Sequence, residues 1–222
     1  MVILGLSDIH GDITGLSGLA EKVGQVDLVL VSGDLTNFGG RAEAARVIGE
    51  IRRYFPDVLA VAGNCDEKVV EDYLRKEGLS LHGQTRFIQG IGFLGIGFSL
   101  PCPVYTPGEL TEGQLQALLA SAYQSLPEKT PFLLLAHQPP FGTRLDLVRS
   151  GRHVGSQAVR TFIEEKKPVV CLCGHIHEAS GKDELGPTLL INPGPLRHGG
   201  FVVLEVTPST ARIRDCGWPT GH

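Results

Sequence analysis

The sequence has no apolar run of the 18 or more residues that a bilayer span needs; its longest candidate, Ile91 to Leu100, is interrupted by glycine. No membrane partner is expected on that ground. It has no excess of basic residues either: 20 Lys and Arg stand against 24 Asp and Glu, a formal net charge of −4, which gives no bulk attraction toward nucleic acid. The N-terminal Met1-Val2-Ile3-Leu4-Gly5-Leu6 has no basic segment ahead of its apolar one and reads as a core strand rather than a signal peptide. A disulfide framework is missing too. The five cysteines, Cys65, Cys102, Cys171, Cys173 and Cys216, are an odd, irregular set that fits a reducing, cytoplasmic setting. Cys171 and Cys173 share a strand face and read as small buried hydrophobes rather than a soft-metal pair. Low-complexity tracts and short-period repeats are also absent.

What remains is an ordinary globular composition. The 222 residues are 42% hydrophobic and 20% charged, enough to bury one sizeable core, and residues 1–222 are read as a single domain.

Along the chain, short apolar runs alternate with amphipathic segments. Val2 to Leu6, Asp27 to Val31 and Val58 to Ala62 read as buried strands, each followed by a polar, glycine-containing loop and then a helix. Three such units in succession imply a parallel sheet with right-handed crossovers. From Leu81 to Leu100 the pattern turns to short β-like runs, Thr85 to Gln89 and Gly92 to Ile96, read as antiparallel strands of a second sheet. A Pro-rich loop, Pro101 to Gly108, precedes a helix opened by Thr111. Phe132 to Ala136 and Pro168 to Leu172 are further buried strands, separated by a long loop and a helix from about Ser156 to Lys166. Three last strands are expected near Thr188 to Ile191, Phe201 to Val206 and Ala211 to Arg214.

Five of the buried strands end alike. Just past them stand Asp8 and His10, Asp34, Asn64 and Asp66, His137, and His175 with His177. Loops at the carboxyl ends of parallel strands converge on one crevice. Two histidines one residue apart in an extended segment face the same side. Seven oxygen and nitrogen donors, Asp66 set aside, are too many for one tetrahedral zinc but suit two divalent ions sharing a carboxylate, with positions left for water and substrate. Imidazole and carboxylate donors fit manganese, iron, nickel or zinc better than calcium or magnesium, and manganese is the expected ion. Such a pair would acidify a bridging water to the hydroxide that attacks a phosphate ester, so no serine or cysteine nucleophile is required. Glycines beside the donors, Gly11, Gly33, Gly63 and Gly174, permit tight turns and close backbone approach.

Taken in order, Asp8-x-His10, Gly33-Asp34, Gly63-Asn64-x-Asp66, His137 and Gly174-His175-x-His177 resemble the five-block signature of the calcineurin-like metallophosphoesterases, from Met1 to about Val206. The resemblance implies an α/β fold, a four-layer αββα sandwich with two facing mixed sheets and a dimetal site at their end. It also implies that Asp8, His10 and His177 bind one ion, that Asn64, His137 and His175 bind the other, and that Asp34 bridges them. Many members of the family have histidine after the third-block asparagine, where it acts as acid or stabilises the transition state. Here the residue is Cys65, as in some small bacterial and archaeal phosphodiesterase-like members. A thiol is a poorer donor than an imidazolium near pH 7. The catalytic candidates are therefore Asn64, Cys65, Asp66, which would orient Asn64 or a water, and His153 in the long loop, as an acid or phosphate contact. The competing reading of His153 is an exposed loop histidine.

Asp12 reads as the cap of the first helix, Thr36 and Asn37 as holding their own loop, Asn192-Pro193-Gly194-Pro195 as a structural turn, and His82 as a surface residue; Arg197 and His198 follow the turn without a definite place. The expected function is hydrolysis of a small-molecule phosphoester, a phosphodiester ahead of a phosphomonoester. The rivals are a nuclease, which would need a basic groove, and a catalytically silent protein-binding scaffold, which would need no metal.

Overall fold

A computed structural model describes residues 1–219. Its first sheet has the order β11-β10-β1-β2-β3, in which β1 (Val2–Leu6), β2 (Leu28–Ser32) and β3 (Val58–Val61) run parallel. Strands β10 (Phe201–Val206) and β11 (Ala211–Gly217) extend it antiparallel on the β1 side. The second sheet has the order β4-β5-β6-β7-β9-β8. Its parallel centre is β5 (Ile91–Ile96), β6 (Phe132–Ala136), β7 (Val170–Leu172) and β9 (Thr188–Asn192). The antiparallel edges are β4 (Gln84–Ile88) and β8 (Gly181–Leu185).

Alternation along each strand explains why the central runs are apolar throughout. Leu28 and Leu30 face the second sheet, together with Leu133, Leu135 and Leu172 from that sheet. Their neighbours Val29 and Val31 face α1 (Leu16–Val23), α2 (Arg41–Tyr54) and α3 (Lys68–Lys76), packing on Val47, Ile48 and Leu74. Leu134 faces α4 (Glu112–Gln124) and α5 (Gln157–Lys166), against Leu119 and Val159. Both faces of both sheets are thus covered, as all-parallel segments require. The result is the expected αββα sandwich.

The helix starts follow local chemistry. Thr111 accepts the Gln114 amide while the Gln114 side chain returns to the Thr111 amide, and Ser156 accepts from the Val159 amide. Two expectations at this level fail. The first helix is not capped by Asp12, which instead accepts the amide and hydroxyl of Thr14 in a local turn, leaving Gly15 at the cap without a side-chain bond. Strand β8 was not anticipated, because Gly-Lys-Asp-Glu-Leu has no apolar alternation; as a half-exposed edge paired only to β9, it needs none.

Candidate metal centre

The seven donors sit where β1, β2, β3, β6 and β7 end, so the loops of two different sheets meet. The β1 and β2 ladder continues beyond the strands, with Asp8 N to Gly33 O at 3.1 Å and His10 N to Asp34 O at 2.8 Å. Within the second sheet the Gly174 amide reaches His137 O at 3.1 Å, and that sheet joins the first through the His175 amide, 3.2 Å from the Asp8 carboxylate. Four of the seven, Asp8, His10, Asp34 and His175, have φ between 49° and 70°, a region that non-glycine residues seldom occupy and that clusters at functional sites. Two glycines make this crossing possible. Gly33 has φ +96°, and a Cβ there would collide with His137 Nδ1; a Cβ on Gly174 would collide with Ser7 Oγ and lie 2.7 Å from Asp8 Oδ2.

The donor atoms fall into two linked groups. Asp8, His10 and His177 present ligand atoms within 4.8 Å of one another, with His177 Nε2 3.3 Å from Asp8 Oδ1 and 3.2 Å from His10 Nε2. Asp34 turns one oxygen to each side, Oδ2 at 3.7 Å from His10 Nε2 and Oδ1 at 3.6 Å from His137 Nε2. Asn64 Oδ1 lies 2.9 Å from His137 Nε2, and the His175 ring lies 5.1 Å from that of His137, tilted by 60°.

These contacts fit cations rather than one another. His137 Nδ1 donates to the Ser32 carbonyl at 2.7 Å, which leaves Nε2 as the nitrogen turned toward Asn64 Oδ1 and Asp34 Oδ1. His10 turns Nε2 toward His177 and Asp34, and its Nδ1 is buried with no partner among the described residues. The carboxylates tell the same story. Burial, with Asp8 and Asp66 adding to it, pushes the Asp34 carboxyl up to about 7 in spite of His137. Burial also acts on Asp8, but the hydrogen bond from His177 and the charges of His137 and His177 hold it below the usual carboxylate range. Two carboxyls in one dry pocket do not both ionise without a counter-charge. Burial lowers His10 to about 4, although Asp8 opposes it, and His175 to about 3, whereas the bond to Asp8 raises His177 against the effect of its burial. Neutral imidazoles are the ligand form. The donor set therefore fits divalent metal ions.

Residues 1–179 match the calcineurin-like phosphoesterases. The chain belongs to that family. An uncharacterized protein of Methanocaldococcus jannaschii is 36% identical over 199 residues, 88% of each chain. Among solved structures, a Thermus thermophilus protein superposes with a TM-score of 0.72 at 19% identity, over 96% of this chain and 98% of that one. A dimetal phosphatase from Danio rerio does so with 0.65 at 13% identity, over 96% and 95%. These two likenesses show the shared fold. Membership in the calcineurin-like phosphoesterases implies divalent ions and hydrolase chemistry, and the geometry above supplies the candidate ligands.

The other expected site residues fall in different places. Cys65 Sγ lies within 4.8 Å of ligand atoms of His10 and Asp34, and its amide donates to Asp34 Oδ1 at 2.8 Å. Asp66 is fully buried and accepts from the amides of Leu35, Thr36 and Gly63 and from the Thr36 hydroxyl, so its carboxylate clamps the β2 and β3 loops together. Thr36 also bonds Gly39 O and holds its loop as expected. His153 is exposed and donates from Nδ1 to Asp146 Oδ1, 2.8 Å away, with its ring 5.8 Å from Phe141. Among the described residues no such contact joins it to the seven donors. His82 is not on the surface: it is 8% exposed, its Nδ1 accepts the Gly97 amide at 2.9 Å, and burial lowers it to about 4. Asn192 is structural, tying Ile176 O and Gly194 N around the His175 loop.

Sequence reasoning missed three supports. Ser32 orients His137 through its carbonyl and reaches Cys173 O with its hydroxyl at 3.0 Å, joining the sheets. Asp146 gathers the amides of Gly142, Thr143 and Gly155; the Thr143-x-x-Asp146 spacing of a capping box was the available signal. Cys102, from the Pro-rich loop, places Sγ 3.9 Å from His175 Nε2, and nothing in its sequence context announces that.

Proposed function

We propose that this chain is a dimetal phosphodiesterase acting on a small-molecule phosphoester, with Asp8, His10 and His177 holding one ion, Asn64, His137 and His175 the other, and Asp34 shared. The observation that carries the reading is the convergence of His137 Nε2 and Asn64 Oδ1 beside a carboxylate that offers one oxygen to each histidine group. When bound, two divalent ions supply Lewis acidity to the phosphoryl oxygens and lower the pKa of a water molecule, with manganese the ion of choice and iron, nickel or zinc as alternatives. The protein's part is positional. Ser32 fixes which nitrogen His137 presents, the His175 amide steadies Asp8, and Asp66 sets the spacing of Asp34 and Asn64 by clamping their loops. Arg197 is near enough for its charge to depress His10 and oppose His177, which suits it to an anionic ester.

Cys65 favours a diester. Burial, then the charge of Asp34, pushes its thiol far above the ordinary range, so it keeps its proton and is a weak acid toward a leaving group. A diester with a good leaving group asks least of it. Five free cysteines support a reducing, cytoplasmic setting. The test is a panel of p-nitrophenyl phosphate and bis(p-nitrophenyl) phosphate with manganese, alongside metal analysis. Faster cleavage of the diester and about two ions per chain are expected. Preference for the monoester removes the diesterase assignment, and protein that takes up no metal removes the hydrolase.

A further inference from the structure

Seven large apolar side chains stand exposed among the described residues, and four of them, Phe38, Val104, Tyr105 and Leu147, lie in loops leaving β2, β5 and β6 at the end that carries the seven donors. Exposed apolar groups gathered at one end of a molecule call for a partner.

Two of these loops are fastened directly to the centre. Phe38 is 55% exposed at φ 58°, a strained backbone for a bulky residue, and its amide is held by Cys65 O at 3.0 Å. In the loop after β5, Val104 and Tyr105 are 77% and 82% exposed at the tip between Cys102 and Gly108. One end of that loop is pinned where Cys102 Sγ meets His175 Nε2 at 3.9 Å, the other where the Gly108 amide meets Asn64 O at 3.0 Å. Glu109 tightens it by accepting the amides of Cys102 and Thr106. Tyr105 is three residues from each anchor, and three residues reach no more than about 11 Å. Both loop tips are therefore tethered close to the donors, on loops braced by donor residues or their immediate neighbour Cys65.

Resting on the phosphoesterase reading, we propose that Phe38 and the Val104–Tyr105 tip are two lips that receive the ester groups of the substrate, and that the substrate is a phosphodiester with planar aromatic or heteroaromatic arms. The phosphate would lie at the donors, and each lip would offer an apolar face to one arm. Stacking of a flat ring on an aromatic side chain tolerates many ring chemistries and needs no hydrogen-bond code.

The test is calorimetric binding to manganese-loaded protein of diphenyl phosphate and dimethyl phosphate, which share charge and phosphoryl group and differ only in their arms. Wild type should bind the diphenyl ester at least about tenfold more tightly. The double variant Phe38→Asn, Tyr105→Ser, with asparagine chosen because it tolerates the left-handed backbone, should lose at least about fivefold of that preference. Its affinity for dimethyl phosphate should stay within about twofold of wild type. Equal affinities in wild type, or a preference that survives in the double variant, overturns the lips. Turnover of bis(p-nitrophenyl) phosphate is scored separately: turnover without aryl preference removes the lips alone, and aryl preference without turnover removes the hydrolase and keeps them.

Discussion

Two buried clusters of acids and imidazoles differ in how their contacts are matched. Around Glu71, donors meet acceptors: Ser80 Oγ and Arg75 Nη2 reach Glu71 Oε1, the His82 amide reaches Ser80 Oγ, and the Gly97 amide reaches His82 Nδ1. Only Glu71 Oε2 is left over. Around Asp34 the protein crowds two carboxyls against four imidazoles, and leaves one carboxyl raised to about 7 beside another held low. The first cluster is satisfied within the chain but for that one oxygen, and the second is left to a divalent ion of the kind the family implies. Buried polar residues alone do not mark a site; mismatched ones do.

The sharpest way to break this contrast is Asp34→Asn. Replacing the carboxylate that faces both histidine groups should lower manganese from about two ions per chain to one or fewer and reduce phosphoester turnover about a thousandfold. Metal analysis and steady-state rates measure both, and undiminished activity would reject the shared role of Asp34. Next in size, manganese at about 1,000 times its Kd should stabilise the fold by about 4 kcal/mol in urea unfolding, reversed by chelation. A transition indifferent to metal would mean that the donors do not complete one another through an ion.

The Glu71 cluster should respond to protons instead. His82 is lowered from 6.5 to about 4 by burial, so the unfolded chain takes up the proton first. Its contribution is full above pH 6.5 and is lost as pH falls through about 4, a change of about 3 kcal/mol. His82→Gln should flatten the stability profile across that window, and an unchanged slope would contradict the role of the ring. Glu71 has the opposite sign. Burial raises it from 4.5 to about 6, so its contribution is present below 4.5 and lost as pH rises through about 6. Glu71→Gln should therefore stabilise the protein by about 1 kcal/mol at pH 8 and leave it unchanged at pH 4. Destabilisation at pH 8 would show that the bonds from Ser80 and Arg75 outweigh the burial of charge.

How much of this was legible follows from the physics of each signal. The central strands were readable because burial on both faces demands unbroken apolar runs, as in Leu28 to Val31 and Phe132 to Leu135. The donors were readable because each follows such a run, and chain direction in a parallel sheet sends all those ends one way. Edge strand β8 was not, since one partner and partial exposure leave no pattern to find. His82 was misplaced because its neighbours look like a loop, while its burial depends on Phe98 and Gly97, about fifteen residues on. The clamping by Asp66 and the approach of Cys102 are likewise long-range facts that local sequence does not record.

The left-handed bends at Asp8, His10, Asp34 and His175 carry a further meaning. Each such bend costs on the order of 1 kcal/mol or more, and the sandwich behind it absorbs that cost once, when the chain folds. An arriving ion then meets side chains already aimed, with no loop left to order. Speed of capture at this centre is accordingly set by shedding of water from the ion, and discrimination among ions by the rigidity of a frame that will not reshape itself for a poorer fit.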